Sequence, residues 1–453
     1  MSTNISRRKV VAGAAWAAPV VAASAAVPAF ASSTECDWES SAAYTAEGTS
    51  AGAKNAVSFI VPAKVDKIKF EVVGGAGGTN YADVAAGSGA KITGTIEVKE
   101  GQTVQLVGAA GGIGNGALNP AEGGEGYGNG GSSNLPTPIP ASVMQRVNAN
   151  WPKDSKLKRI TYSASGGGSS ALVIDGTPVA VAGGGGGAGF VNSGGANNED
   201  DKKFPGAVDA GRLWPSGAKR NAYPVIGSTG GSAEGAAGAA GNQGALTYSA
   251  DTSVTTTVNA GEGGSAGIGG NGGAKTDLPS GKSPNGVLGY SSTNNQEIYH
   301  SAKSGNNGGA GFTGNGGDGV GSYSYMIDNN DKTKKEESFT EGNKWGQPFS
   351  NIGFNWNGYQ SVISAGGGAG YGGGGSGAST STSAIVLTQK WNNNPDGIRQ
   401  NTGFAQFGGG GGAGGSYVAP GVSGGTIGSA GNAPTQSGTR GNGYVKVTLC
   451  KRS

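Results

Sequence analysis

The stretch VAVAGGGGGAGF, Val179 to Phe190, starts as an apolar strand and then runs through five consecutive glycines. Such a segment could cradle a phosphate, link two bodies loosely, or pack backbone against backbone. The phosphate loop fails on spacing. That motif needs glycine directly before Lys-Ser/Thr and another glycine five positions earlier. Gly281-Lys282-Ser283 has Thr276 at the earlier position, and Ala274-Lys275-Thr276 lacks the adjacent glycine. A linker is disfavoured by recurrence. FEVVGGAGG (Phe70 to Gly78), VISAGGGAGYGGGG (Val362 to Gly375) and FAQFGGGGGAGG (Phe404 to Gly415) repeat the same junction of strand and glycine run. Ordering five glycines costs on the order of 5–10 kcal/mol in backbone freedom. One run alone would not order. Many runs could, because chains without Cβ atoms approach closely and bond laterally, each bond contributing about 1 kcal/mol net.

Elsewhere glycine falls at every third position, as in Gly235-Ala236-Ala237-Gly238-Ala239-Ala240-Gly241-Asn242-Gln243-Gly244. Three residues per turn is the repeat of an extended left-handed helix, and the absence of proline there excludes collagen. Around the runs, Lys67 to Val72 and Lys91 to Val98 alternate apolar with polar residues, the period of half-buried strands. Lys99 to Gln102 would turn the second of these into Thr103 to Val107 as a hairpin. Asp175-Gly176 predicts another between Ala171–Ile174 and Pro178–Val181, with Pro178 at a strand start or edge. Tyr444 to Leu449 alternates again, and Ala141 to Asn148 is the one short helical candidate. The expected fold is all-β: β-sandwich-like strands, packed polyglycine-II-type helices and long loop insertions.

Residues 1–31 read as an export signal: Arg7, Arg8 and Lys9, an apolar run, then Ala29-Phe30-Ala31 as a cleavage site. Ser6 to Val11 resembles the twin-arginine motif that routes folded proteins across bacterial membranes. Cleavage would remove three basic residues, bringing the 32 basic residues level with the 29 acidic ones. A basic isoelectric point is therefore no warrant for nucleic-acid binding. The remainder, 32–453, reads as a single glycine-rich β domain without a transmembrane helix. Its two cysteines, Cys36 and Cys450, are expected to form a disulfide, as an even pair does in an exported protein.

The segments Lys67 to Gly78, Ala90 to Gly111, Gly123 to Ser133, Pro178 to Gly189, Phe407 to Tyr417 and Gly441 to Val447 carry a resemblance. Their order is similar to that in the glycine-rich domain of the anaplastic lymphoma kinase and leukocyte tyrosine kinase receptors, shared by bacterial secreted glycine-rich proteins. The resemblance implies a β domain threaded by packed polyglycine-type helices. It does not bring the receptors' ligand binding, since kinase and growth-factor-like modules are absent here. Long insertions and a single cysteine pair also depart from it.

Catalytic signals are thin. His300 is the only histidine, which excludes multi-histidine metal sites within one chain and leaves it reading as a solvated loop residue. Asp328-Asn329-Asn330-Asp331 lacks the glycine and glutamate of an EF-hand, and Asn197 to Asp201 is the remaining acidic candidate for calcium. No catalytic residue, cofactor or metal is implied, and no enzyme is expected. More informative are insertions near 134–163, 191–226, 322–360 and 384–404. They hold Trp151, Trp214, Trp345, Trp356 and Trp391, and aromatic residues on loops of a rigid scaffold suit recognition surfaces. Each could equally cap the core from its own insertion. The leading expectation is an exported bacterial surface or extracellular protein, with recognition loops for adhesion to a surface, glycan or protein ligand. A structural subunit of a filament or layer comes second, and a secreted glycan-acting enzyme third.

Overall fold

Alternation decides which way the first strands face. The computed structural model describes residues 36, 38, 43–79, 84–116, 119–150, 158–195, 225–226, 228–249, 253–276, 296–328, 358–390 and 398–451. Within the strand Val65–Val73, Ile68, Phe70 and Val72 are buried while Lys69 is exposed. This strand is the centre of a five-stranded antiparallel sheet ordered Ala43–Glu47, Tyr444–Lys451, Val65–Val73, Ala90–Glu97, Ser423–Ser429. A second antiparallel sheet is ordered Tyr417–Val418, Thr177–Ala182, Ser170–Ile174, Thr103–Gly108, Asn55–Ile60. One hydrophobic cluster draws on both, with Ile68, Phe70, Ile92 and Val447 from the first and Val104, Leu106, Leu172 and Val179 from the second. The fold is nearly all β, and the helix Ala141–Asn150 is the only one among the described residues.

The Asp175-Gly176 hairpin forms as its sequence predicts. Both turn residues have positive φ, 48° and 78°, the geometry that favours a two-residue turn of this composition. Pro178 stands one residue inside its strand, where the neighbour Tyr417–Val418 reaches only Val181 and Ala180. The other expected hairpin does not form. Ala90–Glu97 and Thr103–Gly108 belong to different sheets, and the turn between them is a corner. It is held by Val61, whose N–H donates to Gln102 O and whose carbonyl accepts from Gly101 N–H. Both strands need one apolar face, and that need is met equally well by crossing between sheets. The disulfide Cys36–Cys450 is present, with Cα atoms 5.1 Å apart, and the closing strand lies between Ala43–Glu47 and Val65–Val73.

Between the sheets and the rest of the chain the glycine runs form a bundle. Residues 183–189 sit inside it, and their bonding repeats every three residues. Gly184 and Gly187 N–H donate to Ala369 and Gly366; Gly185 and Ala188 donate to Gly75 and Gly78; Gly186 and Gly189 donate to Gly231 and Ser228. Their carbonyls follow the same rhythm. Gly184 and Gly187 accept from Gly414 and Gly411, Gly185 and Ala188 from Gly167 and Ala164, and Gly183 and Gly186 from Ala90 and Gly87. Six different segments therefore surround one run, whereas a β-strand has two bonded neighbours. Residues 365–370 behave likewise, donating in turn to 409 and 412, 164 and 167, and 317 and 314.

That crowding explains the composition. A Cβ on Gly185 would fall inside the carbonyl of Gly87 and 2.9 Å from Gly77 N. None of Gly183 to Gly187 has positive φ, so close approach rather than torsion requires glycine there. At the rim, side chains replace missing carbonyl neighbours. Asn315 Oδ1 and Asp318 Oδ1 accept from Asn129 and Ser132 N–H, and Ser304 Oγ and Asn307 Oδ1 accept from Lys275 and Gly272 N–H. Acceptors and donors both step by three.

The runs have two differently furnished ends. Residues 183–189 leave the hydrophobic strand Thr177–Ala182 and pass into Phe190–Gly195; residues 163–169 come from Lys158–Tyr162 and enter Ser170–Ile174. The distal ends continue into two four-stranded sheets. One is ordered Gln296–Tyr299, Gly321–Asp328, Gly358–Ile363, Lys158–Tyr162, and the other Ser301–Lys303, Ser379–Lys390, Ile398–Gly408, Phe190–Gly195.

Candidate functional site

The two distal sheets meet through small polar side chains. Ser322 and Ser324 hydroxyls bond those of Ser379 and Ser381 at 2.7 and 2.9 Å, and Gln406 Nε2 donates to Ser361 O at 2.9 Å. All six residues are buried. Small side chains let the backbones keep the close spacing inherited from the bundle, and hydroxyl pairing satisfies groups that would otherwise be costly to bury.

Ser322 and Ser324 face inward, so their alternating neighbours Tyr323 and Tyr325 face the other way. Tyr299, Tyr325 and Tyr359 lie opposite one another on three adjacent strands. The Tyr299 ring stacks on Tyr323 at 4.9 Å and on Tyr325 at 5.3 Å between centroids. The helix Ala141–Asn150 covers part of this face. It forms as expected, with Val143 and Met144 N–H donating to Pro140 O, and Ile139 and Val143 pack with Met144 against Tyr323, Tyr325 and Tyr359. Tyr299, on the edge strand, stays 38% exposed. Burial pushes the Tyr323 phenol up to about 12, and its hydrogen bond to Tyr299 adds to the rise. The four tyrosines give this surface aromatic rings and hydroxyls suited to stacking and hydrogen bonds.

His300 departs from the sequence reading. It stands between the strands Gln296–Tyr299 and Ser301–Lys303, where the chain crosses from one distal sheet to the other. It is partly buried there, and that burial holds its imidazole below the usual 6.5, so it is less solvated than its polar sequence surround suggests. A polar sequence surround concealed a crossing between layers.

Trp151, Trp214, Trp345, Trp356 and Trp391 all lie outside the described residues. The structure does locate where their segments leave and rejoin. The described chain stops at Asn150, Gly195, Asp328 and Lys390, and resumes at Lys158, Val225, Gly358 and Ile398. Apart from Asn150, which ends the covering helix, these are strand ends pointing away from the bundle. The tyrosines were missed because 322–360 was read as an insertion, although the alternation in Ser322-Tyr323-Ser324-Tyr325 marks a two-faced strand.

Among the described residues no group of three or more His, Cys, Asp or Glu could hold a metal ion, and Asn197 to Asp201 fall outside them. Nor, among those residues, is any helix long and apolar enough to cross a membrane. No protein-family model matches the chain, and no curated protein matches it either.

Proposed function

We propose that this is an exported, non-enzymatic protein of a bacterial surface or its surroundings, in which a stiff glycine bundle presents recognition loops for adhesion. The observation that carries this reading is the shared origin of the insertions. The described residues that flank all four tryptophan-bearing segments are ends of strands or of the covering helix. Loops on a rigid base lose less freedom on binding, which favours affinity. The Cys36–Cys450 bond supports an oxidising location. Residues 32–453 would act as one domain. The six-neighbour bonding and three-residue rhythm support polyglycine-II-type helices, and the cluster shared by two sheets supports a sandwich. Packed polyglycine-type helices in a β domain are what the resemblance to the receptor glycine-rich domain implies.

The test is a glycan and cell-binding screen of the protein from Ser32 onward. A companion variant has residues 329–357 and 391–397 replaced by short Asn-Gly turns. Binding by the parent and loss in the variant is the expected outcome. Equal binding by both would place recognition elsewhere, and concentration-dependent growth into polymers would favour the filament or layer subunit.

A further inference from the structure

The tyrosine cluster on the distal sheet holds two phenols in an arrangement that stacking alone does not require. Tyr299 and Tyr323 are diagonal neighbours on adjacent antiparallel strands, their centroids 4.9 Å apart and their planes 27° from parallel. A hydrogen bond joins the two hydroxyls. Ser301 Oγ fixes the backbone of Tyr323 from both sides, accepting from its N–H at 2.8 Å and donating to its carbonyl at 2.6 Å. Tyr299 is 38% exposed, which lets a solvent-borne oxidant reach one member of the pair.

We propose that Tyr299 and Tyr323 are a site of oxidative cross-linking, where one-electron oxidation of both phenols joins the rings through a carbon–carbon bond between ortho positions. The product of such coupling is a biphenol whose hydroxyls sit side by side. The hydrogen bond already holds the hydroxyls that way, so coupling needs a tilt of the rings rather than a search for a partner. Each phenol loses one electron and its hydroxyl proton. Hydrogen peroxide, acting through a haem peroxidase, takes up both electrons and both protons and leaves as two waters. The two radicals couple at their ortho carbons. The displaced ortho protons then move to the oxygens as the rings regain aromaticity, restoring both hydroxyls. The new bond would tie the edge strand Gln296–Tyr299 to Gly321–Asp328 beside the points where residues 329–357 leave and rejoin.

The nearest rival is Tyr325, stacked on Tyr299 at 5.3 Å, and the Tyr325→Phe variant separates it from Tyr323. Tyr371 and Tyr417 are 5.1 Å apart but tilted by 59°, and Tyr323 and Tyr325 are 6.4 Å apart. The proposal does not depend on whether the distal end binds a ligand. It is tested on the purified full chain treated with a haem peroxidase and limiting hydrogen peroxide, then separated by size, digested with trypsin and analysed by mass spectrometry. Trypsin cuts after Lys303, which places the two tyrosines in different peptides. The monomer fraction should gain biphenol fluorescence and yield these two peptides joined, lighter by two hydrogens. Tyr299→Phe and Tyr323→Phe should each lose that product, while Tyr325→Phe keeps it. A cross-link mapped to Tyr371–Tyr417, one found only between molecules, or an unchanged product in Tyr299→Phe would overturn the proposal.

Discussion

Residues 183–189 use glycine at six of seven positions, whereas residues 235–244 use it at every third. Both runs follow the same bonding rhythm. Gly238 and Gly241 N–H donate to Gly264 and Gly261, and Ala239 and Asn242 N–H donate to Ser232 and Thr229. Their surroundings differ. Ala236, Ala237, Ala239 and Ala240 are exposed, while a Cβ on Gly238 would collide with the backbone of Ala413. The interior run has neighbours on every side and tolerates almost no side chains. The rim run has them on one side only, and the threefold repeat turns Gly238 and Gly241 inward, while a Cβ on Gly235 would meet only Ala237 O at 3.7 Å. Glycine spacing thus reports depth in the bundle.

This comparison breaks first at Gly185. Gly185→Val should destabilise the protein by more than roughly 2 kcal/mol, since overpacking and lost lateral bonds act together. A denaturant midpoint equal to that of the parent would mean the interior run can yield. Gly238→Val should cost less, roughly 1–2 kcal/mol, because the rim run can shift toward solvent. If it costs more than Gly185→Val, depth is not what spacing reports.

Acid sharpens the contrast between bundle and distal sheets. The bundle's bonds are backbone bonds and do not titrate, but His300 is held neutral by burial, its folded pKa below 6.5. Its contribution is full above 6.5 and declines as pH falls below that value. Stability measured from pH 7 downward should therefore fall before carboxylates protonate, and His300→Gln should flatten that limb. Glu71 titrates lower. Burial acts to raise its pKa, but hydrogen bonds from Lys91 and Tyr444 outweigh that and hold it below the usual 4.5. An unchanged slope in His300→Gln would remove His300 as the cause. The smallest effect belongs to Ala240→Val on the rim, expected within about 0.5 kcal/mol of the parent in the same denaturation assay. A cost near that of Gly238→Val would show that the outer face of residues 235–244 is covered in solution.

Legibility follows how local the cause is. The Asp175-Gly176 turn was readable because two adjacent residues require positive φ, and the runs were readable because glycine excess has few uses. The corner at Lys99 to Gln102 was not, since alternating strands look alike whichever sheet they join. The inward faces of Ser322, Ser324, Ser379 and Ser381 were hidden for a related reason. Hydroxyls ordinarily mark a solvated face, and only a second sheet at close range makes them a buried one. The tyrosine face stayed hidden behind the same segment, while the tryptophans that carried the sequence reading fall outside the described residues.

The six neighbours of residues 183–189 also set a schedule for synthesis. They come from around residues 75, 87, 165, 230, 367 and 412, so the central run cannot complete its bonds until nearly the whole chain has emerged. Each contact closes a long loop before any neighbouring bond rewards it, and such topologies fold slowly. A nascent chain stopped near residue 300 would lack two of the segments that enclose its longest glycine run, and would hold that run without order. Folding here belongs to the finished polypeptide, which matters to any export route that distinguishes a folded cargo from an unfolded one.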